Sequence, residues 1–274
     1  MTSPTPAGIV RSSELTRFRL APNPGPMSLA GTNTYLLGAP GAGASVAVDP
    51  GPLDDAHLRA LAAEGRVELI LITHRHADHT AAAARFAELT GAPVRAADPA
   101  HCHGAAPLAD GETILAAGVE IRVLATPGHT SDSLCFHLPQ DGPRGSVLTG
   151  DTILGTGTTV LDYPDGTLAD YLGSLDRLEG LGPATVLPAH GPVLPALDEV
   201  ARAYRDHRLG RLEQVRAALR ALGTAAGAEA GASFQADVGA VTDAVYAGVD
   251  PAVRRAAELS VAAQLDYLRA YPTD

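Results

Sequence analysis

Short apolar runs ending in abrupt polar turns recur along the chain. Residues 67–72 (VELILI) are mostly branched and apolar and too short for a helix, which predicts a buried strand. Residues 119–125 alternate apolar and polar positions and predict another. Residues 133–138, 146–148 and 185–187 predict three more, and residues 93–97 a further short one. Residues 31–38 and 45–51, parted by a glycine-rich turn, predict a hairpin. Residues 1 to about 15 predict a loose start, followed by an irregular loop at Pro22, Pro24 and Pro26.

Helical spacing marks the stretches between. Asp54 predicts an N-cap for a helix to about Gly65, with Leu58 and Leu61 facing inward. Residues 79–90 are alanine-rich and predict one helix. Leu168, Tyr171, Leu172, Leu175 and Leu178 predict a helix over 168–181, and residues 196–222 predict a long Arg- and Leu-rich one begun by Pro195. Residues 224–232 read as an Ala/Gly linker. Residues 234–247 and 251–271 predict two last helices, the second with Asp250 as N-cap. Strands and helices in mixed order fit an αββα layered α/β sandwich rather than a doubly wound parallel sheet. The expected division is a main domain over 1–222 and a small C-terminal helical module over 223–274.

The candidate chemistry sits where the strands end. Residues 67–72 run directly into Thr73-His74-Arg75-His76-Ala77-Asp78-His79, three histidines and an aspartate within six residues. Polar side chains are costly in a core, so a cluster this dense at a strand end is most simply explained by a metal. His74 and His76, two apart in an extended loop, can turn toward one point, and Asp78 and His79 toward a second. His129, Asp151 and His190 follow three later predicted strands. One sheet edge would bring all seven together. His101-Cys102-His103 has no clear strand leading into it and reads as an ordinary loop.

Composition narrows the classes. Hydrophobic residues at 46% support a core, and with aromatics at 4% and no Trp it must be filled by Leu, Val, Ile and Ala. All 20 basic residues are Arg, and the net charge is -11, which weakens any case for tight non-specific nucleic-acid binding without excluding a local Arg patch. Cys102 and Cys135 are too few for a disulfide framework and read as free thiols of a reducing compartment. No apolar leader or membrane-length run is visible, so the expectation is a soluble, cytoplasmic protein.

THRHADH (73–79), TPGHT (126–130), GDT (150–152) and PAHG (188–191) resemble the ordered metal motifs of the metallo-β-lactamase superfamily. GTNTYLLG (31–38), GDTILG (150–155), Thr158-Thr159-Val160 and His207-Arg208 look most like its lactamase-beta-like endoribonuclease branch. That branch also holds polyketide-type thioesterases and carries a C-terminal winged-helix-like module, which residues 250–268 fit; glyoxalase II is a more distant relative. The resemblance implies two zinc ions per chain, the first on His74, His76 and His129, the second on Asp78, His79 and His190, with Asp151 bridging. Manganese or iron would also accept these ligands. It implies a shared water, its pKa lowered from about 15.7 to about 7, as nucleophile, with Asp78 orienting it and taking a proton. Two departures stand out. Ala81-Ala82 replaces the family's usual Gly pair, and Asp274 comes soon after the last predicted helix, leaving little chain for a β-wing.

Outside the metal set, Thr73, Thr130 and Asp132 are candidates to steady the imidazoles, with turn-capping as the alternative. Asn33 and Tyr35 are candidates to line the mouth. His207 and Arg208 are candidates to reach a polar substrate group, with a solvated helix face as the alternative. The expected function is a dinuclear zinc-dependent hydrolase of a small ester or thioester. The alternatives are a single-strand-specific endoribonuclease acting on RNA, and a nucleic-acid- or ligand-binding regulator with a vestigial site. A clustered Arg face on residues 201–220 would favour nucleic acid. A homodimer is left open, in which the C-terminal module would cover a partner's cleft.

Overall fold

The computed structural model describes residues 8–223, 237–248 and 250–272. Its first six strands, β1 (Val10–Arg11), β2 (Thr16–Leu20), β3 (Asn33–Leu37), β4 (Ala44–Val48), β5 (Arg66–Leu71) and β6 (Val94–Arg95), lie side by side in chain order. β1 to β4 are antiparallel, while β5 and β6 each join in parallel. Parallel pairing requires crossovers. The first carries α1 (Asp55–Ala62); the second carries α2 (Ala77–Thr80) and α3 (Ala83–Thr90). The second sheet holds β7 (Thr113–Ala116), β8 (Val119–Ala125), β9 (Leu134–Leu138), β10 (Ser146–Gly150) and β11 (Thr185–Pro188), in the order β11-β10-β9-β8-β7. α4 (Leu168–Glu179) lies in the parallel connection from β10 to β11. α5 (Leu197–Ala221), α6 (Val238–Val245) and α7 (Arg254–Ala270) follow.

Period-two alternation sorts side chains into layers. Leu37, Val48 and Leu71 point between the sheets, onto Ile121, Phe136 and Leu148. Their neighbours Leu36, Ala47 and Ile70 point outward, onto Leu58 and Leu61 of α1 and Phe86 of α3. Outside the second sheet, Cys135, Val147 and Val186 pack on Leu168, Tyr171 and Leu175 of α4, Tyr204 of α5 and Val261 of α7. The central strands are apolar on both faces because helices cover one and the opposite sheet covers the other, which is why they read as nearly continuous apolar runs. The result is the expected αββα sandwich.

Three local features differ from the sequence reading. No prediction covers β1, β2 or β7; β1 lies within the expected loose start, paired with β2, and Thr16-Arg17-Phe18-Arg19-Leu20 alternates with strand period. The helix expected over 79–90 is broken at Ala81-Ala82. The Ala82 N–H donates to the Gly51 carbonyl at 3.1 Å instead of to Asp78, one helical turn back, so α2 stops and α3 starts afresh. The helical C-terminal part is present, and among the described residues no strand follows β11 to form a wing. Val241, Val261, Leu265 and Leu268 join the same apolar cluster as α4 and α5. The expected linker at 224–232 lies outside the described residues. No helix among the described residues is long and apolar enough to cross a membrane.

Candidate metal centre

Strand ends supply the donor groups. His74 and His76 follow β5, and Asp78 and His79 ride on the short α2 just beyond. His129 follows β8, Asp151 follows β10 and His190 follows β11. Their atoms converge in two linked groups. In the first, His74 Nε2 and His129 Nε2 lie 3.1 and 3.0 Å from His76 Nδ1. In the second, Asp78 Oδ2 lies 3.2 Å from His190 Nε2 and 3.5 Å from His79 Nε2. Asp151 stands between them. Its Oδ1 is 3.3 Å from His190 Nε2 and 3.7 Å from His79 Nε2, and its Oδ2 is 3.7 Å from His129 Nε2. Tetrahedral bonds of zinc length put ligand atoms about 3.4 Å apart, so this spacing suits a cation.

Satisfaction of the polar atoms gives an independent test. His79 Nε2, His190 Nε2 and Asp151 Oδ1 are buried and have no hydrogen-bond partner. One such atom costs about 1–3 kcal/mol; three converging on one point are accounted for by positive charge among them. The residues therefore fit a metal centre.

The far nitrogens hold the rings. His79 Nδ1–H donates to Asp49 Oδ2 at 2.9 Å. Thr73 Oγ1–H donates to the same oxygen at 2.7 Å and accepts from His74 Nδ1–H at 3.0 Å. His129 Nδ1–H donates to the Val160 carbonyl at 2.6 Å and His190 Nδ1–H to the Gly31 carbonyl at 3.1 Å. His76 is turned the other way, with Nε2 3.2 Å from Asp162 Oδ2. Four imidazoles thus present Nε2 to the centre, and His76 presents Nδ1.

Charge differs between the two groups. Burial opposes protonation of His79, yet the charges of Asp49 and Asp151 outweigh it and raise its pKa to about 10. Burial would raise Asp78, but the facing imidazoles of His190 and His79 hold its carboxyl well below the usual range. His74, surrounded by imidazoles, is pushed well down by burial and then by those neighbours.

Asp49 escaped the sequence reading, which took Asp49-Pro50-Gly51 for a strand-stopping turn. The available signal was the one that marks the other groups, a carboxylate directly after an apolar strand. Asn33 and Tyr35 do not line a mouth. They are 3% and 2% exposed. The Asn33 amide donates to the carbonyls of Pro188 and Gly191 at 3.0 Å each, and Tyr35 Oη donates to Pro188 at 2.9 Å. Both hold the turn that presents His190. Arg208 is likewise buried, donating to the Thr159 carbonyl with its guanidinium 5.0 Å from the Tyr171 ring centre. It steadies the segment whose Val160 carbonyl holds His129. His207 is half-buried and takes no part in the donor cluster. Thr130 Oγ1 donates to Asp132 Oδ1 at 2.7 Å within their own turn, the capping alternative. Thr73 does steady an imidazole. His101 and His103 belong to no donor group among the described residues. On α5, Arg202 and Arg205 pair with Glu179 and Asp176, Arg216 pairs with Glu213, and Arg211 lies over Tyr246. These four arginines are each engaged by an acidic or aromatic neighbour.

A fold of this layering, with metal-type donors gathered at its strand ends, defines a class. The metallo-beta-lactamase superfamily model matches residues 28–190, more than half of the chain, and the chain belongs to that superfamily, a metal-dependent hydrolase in class. It is 35% identical over 210 residues to an atrochrysone carboxyl ACP thioesterase of Aspergillus chevalieri, covering 73% of this chain and 64% of that protein's length. Among solved structures, a metallo-beta-lactamase family protein from Thermus thermophilus is similar with TM-score 0.73 and 25% identity over 93% of both chains. TTHA1623, solved in a di-iron-bound form, is similar with TM-score 0.53 and 28% identity, over 65% of this chain and 95% of its own.

Proposed function

We propose that the chain is a dinuclear metal-dependent thioesterase, cleaving the thioester of a small acyl substrate with water to give an acid and a thiol. The observation that carries the dinuclear reading is Asp151, one oxygen directed to each donor group, beside three buried atoms without partners. His74, His76 and His129 would hold one ion, Asp78, His79 and His190 the other, and Asp151 both. All seven are nitrogen or oxygen donors, which zinc accepts; iron, present in one similar structure, and manganese are the alternatives. The thioester preference is supported by similarity to a thioesterase and by the ion pairs that engage Arg202 and Arg205 on α5.

Bound ions supply a nucleophilic hydroxide near neutral pH and positive charge for the developing oxyanion. The protein's part is to aim and to open the site. The side chains of His76 and Asp78 are each 32% exposed, while His74, His79, His129 and His190 are buried, so substrate enters between those two. Asp78 stands at that opening, with Thr32 Oγ1 3.4 Å from its Oδ2. Its carboxylate is placed to take the proton that a water sheds in becoming that hydroxide and to return it to the departing sulfur.

The test is a paired assay of zinc-loaded protein on acyl-thioesters and on single-stranded RNA, with Asp151→Ala as control. Thioester turnover that the substitution abolishes, with RNA intact, is expected. RNA cleavage abolished by the same substitution would overturn the substrate assignment while keeping the metal centre.

A further inference from the structure

One carboxylate beside the centre belongs neither to the donor set nor to the strand ends. Asp162 lies on the loop between β10 and α4. Its Oδ2 accepts from Arg75 at 2.5 Å and lies 3.2 Å from His76 Nε2. His76 differs from the other four imidazoles in two respects. It is the one that presents Nδ1 inward, and it is the most exposed, although its ring meets those of His74 and His129 edge-on. The others are buried and tethered, three of them to a carbonyl or a hydroxyl. The tether of His76 is a carboxylate that is itself clamped from several sides. Asp162 N–H donates to the His129 carbonyl at 2.9 Å, and the Gly166 N–H returns to the Asp162 carbonyl at 3.0 Å. Arg75, next to His76 in sequence, also pairs with Asp165 at 3.1 Å. Asp165 in turn accepts from Ser131 N and Oγ, each at 2.8 Å.

We propose that Asp162 is a positioning residue for the first metal, fixing His76 in the tautomer that frees Nδ1 and strengthening that nitrogen as a donor, with Arg75 holding the carboxylate in place. A carboxylate behind an imidazole fixes ring and proton together. Without it the partly exposed ring would divide its proton between both nitrogens. Asp162 also ties the centre to the rim. Tyr163, the next residue, packs against the α4–α7 core, so the loop that holds His76 is seated on the C-terminal helices.

The inference rests on His76 being a metal ligand, and the experiment separates the two. Zinc is titrated into metal-free protein against a chromophoric chelator, for the wild type, Asp162→Asn, Arg75→Met and Asp165→Asn. Two equivalents bound by the wild type support the dinuclear reading on its own; fewer than two overturn that reading before the variants are considered. Given two, Asp162→Asn is expected to weaken one equivalent about 10–100-fold and spare the other. Arg75→Met should weaken the same equivalent less. Asp165→Asn, which reaches His76 only through Arg75 and Asp162, should weaken that equivalent least of the three. Unchanged affinities in Asp162→Asn, or an equal loss in Asp165→Asn, would overturn the role of Asp162. Should Asp162→Asn fail to fold, nitrogen NMR of wild-type zinc-loaded protein decides. A protected His76 Nε2–H is expected, and a proton on Nδ1 would refute the assignment.

Discussion

Asp49→Asn probes how the second group of donors is held. Asp49 accepts three hydrogen bonds, from Thr73 N at 2.8 Å, Thr73 Oγ1 at 2.7 Å and His79 Nδ1 at 2.9 Å. Asparagine has the same size. Its backbone also tolerates the left-handed conformation that position 49 adopts, with φ of 51°. The substitution keeps the acceptor for Thr73 N but turns an NH2 toward the other two donors. Thr73 can rotate its hydroxyl away; His79 can only move its proton to Nε2, the atom that faces the centre. A hydrogen bond to a charged group is worth about 1.5–3 kcal/mol. Losing one that selects the tautomer should cost about 2 kcal/mol, or roughly 10–100-fold in affinity for one metal equivalent. The assay is zinc competition with a chelator, with the melting temperature of the metal-free protein recorded in parallel. Expected is one weakened phase, a smaller effect on the other through Thr73 and His74, and a fold that survives. Wild-type affinity in both phases would refute the argument that Asp49 sets the His79 proton.

Three further expectations follow from the packing. Gly128→Ala would place a Cβ 2.4 Å from Tyr171 Cα at a φ of 134°, so the turn before His129 or the start of α4 must shift; soluble yield and zinc content should both fall sharply. Tyr35→Phe removes a buried hydrogen bond to the Pro188 carbonyl and should cost about 1–2 kcal/mol by denaturant melting. His57 is 3% exposed and, through burial and then the charge of Arg19, has its pKa lowered to about 4. The unfolded chain therefore takes up a proton between about pH 6.5 and 4 that the folded chain refuses. Stability falls as pH drops through that window, by up to about 3 kcal/mol. His57→Gln should flatten that part of the profile for metal-free protein, and an unchanged slope would contradict it.

The layered fold was legible because helices cover both sheets, which makes the inner strands apolar throughout and their ends abrupt. The same contrast exposed His74, His129, Asp151 and His190, each a polar residue just past an apolar run. What lay hidden depends on contacts between distant segments. Asp49 looks like any aspartate before a proline until Thr73 and His79 are beside it. The amide of Asn33 looks available until Pro188 and Gly191 arrive, 155 and 158 residues further on. The break at Ala81-Ala82 follows from one carbonyl at Gly51, which no helix propensity encodes.

Asn33 and Tyr35 belong to the first sheet, and the turn they grip belongs to the second. This latch crosses the sandwich beside the donor cluster and needs no ion to close. A change at Asn33 or Tyr35 therefore acts on His190 from across the sandwich, through the turn that carries it.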